Sequence, residues 1–190
     1  LVSFLIEHGA DTEKEPLFGW DGLKMACSRG HADVVEVLID KGQMDINSKD
    51  DDGFTPLMIS CLHGHLPVVK KLIKKGSKVD LKDNKGQTAL MKACQGGGGP
   101  EILQILLDNG SKMNPRNLKD DDSNNCLIMA CLSRNLDIIR FILKNFKLPG
   151  MVSQNNTGST ALMMACDRGD LETILILGPF LTTNVLHVKN

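Results

Sequence analysis

Five eleven-residue segments of this chain can be laid over one another on a single leucine: DGLKMACSRGH from Asp21, TPLMISCLHGH from Thr55, TALMKACQGGG from Thr88, NCLIMACLSRN from Asn125 and TALMMACDRGD from Thr160. The aligned leucines, Leu23, Leu57, Leu90, Leu127 and Leu162, are separated by 34, 33, 37 and 35 residues. Three residues after each comes a small side chain (Ala26, Ser60, Ala93, Ala130, Ala165), and the next residue is each time a cysteine. A register of this length excludes most globular topologies, because every copy must fold to the same local unit and meet its neighbours in the same way.

The second half of each unit repeats too. Val34, Val35, Leu38 and Ile39 match Val68, Val69, Leu72 and Ile73, then Ile102, Leu103, Leu106 and Leu107, then Ile138, Ile139, Ile142 and Leu143. Apolar pairs four residues apart mark one buried face of a helix. Gly42, Gly76 and Gly110 stand where a left-handed residue ends that helix, and Thr55, Thr88 and Thr160 stand where a hydroxyl caps the next one. Each unit therefore reads as helix, turn, helix and a polar connection such as SKDDDGFTP or LKDNKGQTA. One unit cannot bury its own apolar stripe, so the units must stack.

The clearest copy, GFTPLMISCLHGHLPVVKKLIKKGSKVDLKD, with TPL at 55–57, GH at 30–31 and 64–65, and the closing KGSKVDLKD phrase, resembles the ankyrin repeat over nearly the whole chain. The resemblance implies an all-α solenoid of stacked helix-turn-helix units joined by β-hairpin-like loops. It divides a single domain, 1–190, into a partial repeat (1–19), full repeats at 20–53, 54–86, 87–123 and 124–159, and a degenerate last unit at 160–190 whose second helix is expected to break at Gly178-Pro179 as a cap or array end. LVSFLIEHGADTEK reads as the tail of an earlier repeat, so a longer protein is expected. The histidine of the family's TPLH motif is replaced by Lys24, Met58, Met91, Ile128 and Met163, which removes a side chain that ties helix to turn.

Chemistry is sparse. Cys27, Cys61, Cys94, Cys131 and Cys166 recur one per unit. Packed helices lie roughly 8–10 Å apart, whereas a disulfide needs alpha carbons within about 7 Å. They are expected to be reduced, half-buried packing residues of an intracellular protein, cytoplasmic or nuclear. Cys126, outside that register, reads as a substitution at a helix start. Cys27 with His31 and Cys61 with His65 share a ligand-like spacing, but each histidine belongs to the turn between helices, and no metal or cofactor is expected. No nucleophile and base set recurs, so an enzyme is not expected of these residues. A net charge of −1 offers nothing to nucleic acid or an anionic bilayer, and no apolar stretch reaches the roughly 20 residues of a membrane span.

What remains is a binding surface. The resemblance places partner contacts just before each TPL-like motif and just after its cysteine, on a concave face of loop tips and first helices. Those positions are Phe18, Trp20, Ser28 and Arg29 in the first full unit, and Asp51, Asp52, Phe54, Leu62 and His63 in the second. Further along they are Lys85, Gln87, Gln95, Asp122, Asn124, Leu132, Ser133, Asp167 and Arg168. A protein or peptide partner of a monomeric domain is expected. The other readings are a regulatory segment of a larger enzyme or channel, and a spacer without a ligand. Exposed aromatics suggest an anchor pocket, although Phe18 and Trp20 equally suit a cover over the edge between repeats. Asp50–Asp52 and Asp120–Asp122 read as solvated turns or as acidic fingers for a basic segment. Gly96–Gly99 lack the lysine and hydroxyl of a phosphate loop and mark an irregular turn, one residue longer than its counterparts, that poses the question of a pliable joint.

Overall fold

The structure is a computed structural model that describes residues 20–111, 119–146 and 153–185, the last five by backbone only. The partial repeat expected at 1–19, with Phe18, and residues 112–118 of the connection after the third full unit's second helix lie outside the described residues. Among the described residues there are ten helices and no strand: α1 (Gly22–Arg29), α2 (Ala32–Asp40), α3 (Pro56–Leu62), α4 (Leu66–Lys74), α5 (Ala89–Gln95), α6 (Pro100–Asp108), α7 (Cys126–Ser133), α8 (Leu136–Asn145), α9 (Ala161–Asp167) and α10 (Leu171–Val185). They pair in order, α1 with α2 through α9 with α10. First helices stack on first helices and second on second along the chain, which joins the stripes into one core.

Local chemistry starts and stops each helix where the repeat requires it. The side chains of Asp21, Thr55, Asn125 and Thr160 accept the amides of Lys24, Met58, Ile128 and Met163 at the starts of α1, α3, α7 and α9. Thr88 departs from expectation: its hydroxyl makes no cap bond and is buried without a partner. Gly76 and Gly110 are left-handed as expected, but after α2 that conformation moves on to Gln43, with φ 50°. The expected break at Gly178-Pro179 does not occur, and α10 runs through Pro179. Proline removes one N–H, and the carbonyl that loses this donor belongs to Leu175, an exposed residue on the solvent side of the helix.

The cysteines are not half-buried. Cys27, Cys61, Cys94 and Cys131 have no solvent exposure, and Cys166 is exposed. The register explains both, because this position faces the following unit and no first helix follows α9 among the described residues. Met163 is exposed for the same reason, whereas its equivalents Met58, Met91 and Ile128 are buried. Burial pushes the Cys27 and Cys131 thiols up to about 12, and raises Cys61 as well. Burial, then the neighbouring Cys126 thiol, raises Cys94. An aromatic disulfide reagent at about pH 8 should therefore titrate one thiol quickly in the native chain and six after unfolding, because only the thiolate attacks. Replacing Cys166 with serine should remove the fast phase; a fast phase that survives would contradict this burial pattern.

Candidate functional site

The connections between units are built on one residue. Asp50, Asp83, Asp120 and Asn155 each turn a side-chain oxygen back onto the amide four residues ahead (Phe54, Gln87, Asn124, Ser159), at 2.7, 2.8, 2.7 and 2.9 Å. Their own amides reach the carbonyls of the same four residues, and a left-handed residue (Gly53, Gly86, Ser123, Gly158) closes each turn. Neighbouring turns are then laced together. The amides of Asn84, Asp121 and Asn156 donate to the carbonyls of Asp52, Lys85 and Asp122 at 3.0, 3.0 and 2.9 Å. The Asn84 and Asn156 side-chain amides add bonds to the carbonyls of Asp51 and Asp121. Of the two acidic runs, Asp50 and Asp120 are folded inward as turn closures, while Asp51, Asp52, Asp121 and Asp122 face solvent.

Beneath these turns lie two buried lysines. Lys24, which replaces the family's histidine, meets Asp21 Oδ2 at 2.7 Å and Ser48 Oγ at 3.0 Å, so the expected loss of a helix-to-turn tie is made good in that unit. Lys92 is 3% exposed. Its ammonium sits 2.7 Å from Asp83 Oδ2, in ion-pair contact although not at a hydrogen-bonding angle. It donates to Gln87 Oε1 and stands 4.0 Å from the centroid of the Phe54 ring. Gln87 passes the connection on, with Nε2 2.9 Å from Asp120 Oδ2. Gln87, expected on the binding face, is therefore buried and engaged, and is unavailable to a partner.

Three of the positions assigned to that face do converge. Asp52 and Phe54 from one turn and Lys85 from the next, with Asn84 and Lys92, line a cavity of about 170 Å³. Lys92 was not anticipated, yet a signal existed: its equivalents Met25, Ile59, Met129 and Met164 are all apolar, and a lysine at a buried register position demands a carboxylate. Trp20 is half-buried and packed against the core. Leu62 and Leu132 are half-buried; Leu132 gives its carbonyl to Arg168 Nη1 at 2.6 Å. Ser28 bonds the Met25 carbonyl, and its own carbonyl meets His65 Nε2 at 2.9 Å. His63 stacks on His65 at 6.0 Å, and burial, then the His65 charge, lowers its pKa. Asn124 accepts from Asn155 Nδ2 at 3.0 Å, and Asp122 supplies a carbonyl to the lacing. Arg29, Asp167 and Arg168 are exposed.

Gln95 and Ser133 sit apart, on an open groove of about 470 Å³ beside Gly96 and Gly97. Asn135 Nδ2 ties the carbonyls of Gly96 and Gly98 at 3.0 and 3.1 Å, and Ser133 Oγ donates to the Cys94 carbonyl at 3.1 Å. The turn is thus held from the next unit, although the amides of Gly97, Gly98 and Gly99 have no acceptor among the described residues, unlike the bonded amides of residues 63–66.

A stack of helix pairs with laced turn tips defines a repeat solenoid, a class that recognises partners along its surface rather than in a single deep cleft. The chain belongs to the ankyrin repeat family: the model of ankyrin repeats in three copies matches residues 1–83, 44–117, 68–150 and 90–184. It is similar to ankyrin repeat protein nuc-2 of Neurospora crassa (31% identity over 58% of this chain and 11% of that protein). It is also similar to the E3 ubiquitin-protein ligase KEG of Arabidopsis thaliana (30% over 77% of this chain and 9% of that protein). A third relative is the putative palmitoyltransferase ZDHHC13 of Danio rerio (32% over 83% of this chain and 23% of that protein). The chain therefore spans less than a quarter of the length of each of these. Among the described residues no helix is long and apolar enough to cross a membrane.

Proposed function

We propose that these repeats capture a peptide segment or folded protein along the turn tips and first helices, with the cavity at Phe54 as the anchor point. Ankyrin repeats are a general protein-interaction module. The observation that carries the finer reading is the convergence of Asp52, Phe54 and Lys85, contributed by two units, on one cavity. Its wall is an aromatic ring held in place by Lys92. Buried aromatic anchors ringed by polar groups dominate interface energies.

The test is selection of binders from a displayed random-peptide library. Phe54→Ala is expected to weaken selected peptides at least about tenfold, as loss of a hot-spot side chain does, with helicity retained in circular dichroism. Asp52→Asn, on an exposed side chain, guards against a folding artefact. Peptides that bind both variants as tightly as the parent chain would overturn the assignment. A second reading has one support: two of the relatives are a ligase and a putative palmitoyltransferase in which the matched repeats are a small part. On that reading the module recruits or regulates on behalf of a larger enzyme.

A further inference from the structure

The groups that line the Phe54 cavity are not equally free. The Lys92 ammonium is already shared among Asp83, Gln87 and the Phe54 ring. Asn84 donates its side-chain amide to Asp51 and its backbone amide to Asp52. The backbones of Asp52 and Lys85 are likewise engaged: the Asp52 amide meets Asp50, and the Lys85 amide meets Asp83. Their charged ends are different. Neither the Asp52 carboxylate nor the Lys85 ammonium has an ion-pair partner among the described residues, and both are exposed. The cavity thus offers one aromatic wall, one free carboxylate on the earlier turn and one free ammonium on the later turn. The lacing between the two turns fixes the order of those charges along the stack.

We infer that this cavity reads a peptide with a fixed charge order: an apolar, ring-sized side chain seated on Phe54, flanked by a basic residue toward Asp52 and an acidic residue toward Lys85. The inference rests on the capture reading above and names the ligand class of the same site. A dry cavity of about 150 Å³ holds a benzene-sized group, so the volume at Phe54 suits one such side chain. In an extended peptide, residues two positions to either side of the anchor point the same way and lie about 13 Å apart, near the roughly 10 Å step between stacked helices. Asp51 and Asp121 are also exposed beside this rim, so a misplaced basic residue still meets a carboxylate, whereas an acidic residue is attracted at Lys85 and repelled at Asp52. That asymmetry makes the acidic position the more selective of the two. Misplacing the acidic residue sets it against Asp52, and specificity of this kind comes from repulsion as much as attraction.

The test exchanges the two charges. Random displayed peptides are selected on the parent chain and on the double variant Asp52→Lys with Lys85→Asp, both sites being exposed and bound to their neighbours only through backbone atoms. Peptides from the parent chain should carry an apolar residue between one basic and one acidic residue in a constant order, and those from the variant should carry the reverse order. A parent-selected peptide should lose at least about tenfold in affinity on the variant and regain it when its own two charges are exchanged. Phe54-dependent peptides with no charge order, or with the same order on both chains, would overturn this inference and leave the capture reading standing. If no selected peptide depends on Phe54, the capture site itself is wrong and the inference falls with it.

Discussion

Replacing Lys92 with methionine is expected to lower folding stability by about 3–5 kcal/mol, the usual consequence of removing one partner from a buried ion pair. The Asp83 side chain has no solvent exposure, so its carboxylate would be left charged in the interior. Two backbone amides, those of Lys85 and Gln87, would still donate to Oδ1. Oδ2 would keep no partner among the described residues, where Lys92 alone is close to it. Gln87 Oε1 would lose its donor and Phe54 its cation at the same time.

The same variant carries its own remedy. The turn before the last unit has asparagine at 155 where the turn before Lys92 has Asp83, and the last unit has Met164 at the register position of Lys92. Asn155 closes its turn with the same pair of bonds, Oδ1 accepting from Thr157 and Ser159. Lys92→Met combined with Asp83→Asn therefore transplants a pair that already works in this chain, and should recover most of the loss when measured by denaturant unfolding. The strong coupling expected between the two sites is the signature of a buried charge pair. Losses that simply add would show that Lys92 acts through packing alone.

Much of this architecture was legible. The leucine-to-cysteine register fixed five helix pairs because burial at a constant spacing leaves a stacked solenoid little freedom. The departures come from interactions between units, which no single copy displays. Asp50 looks like one of three equivalent acids in SKDDDG until Phe54 donates its amide to it. Gln87 looks like a tip residue until Lys92 and Asp120 claim both ends of its amide. Cys166 shares its register with four buried thiols, and its exposure follows only from what stacks against α9. At the candidate site, the aromatic and the two free charges were readable from their register positions. The lysine that holds the ring was not, because its role depends on a turn residue and an aromatic that both belong to the preceding unit.

The glycine run offers the second large effect, and here neighbouring positions should behave oppositely. Gly96 has φ −88° and ψ 179°, an extended conformation open to any residue, so its backbone angles do not require glycine. Space does: a methyl group there would lie 2.1 Å from the Leu62 carbonyl oxygen and 2.7 Å from its carbon, both backbone atoms of the preceding unit. Gly96→Ala should cost about 3 kcal/mol, the upper part of the range for overpacking, because the first helices of two units would have to move apart. At Gly97 nothing lies within 4 Å of the added methyl, and φ is again not left-handed. Gly97→Ala should be neutral or stabilising by up to about 1 kcal/mol, since it narrows the unfolded ensemble without native strain. Urea titrations of both variants decide between two accounts of the run. A large loss at 96 with none at 97 means the segment is a close-packed seam with one open residue. Equal, small effects at both would make it the slack joint that four consecutive glycines suggest.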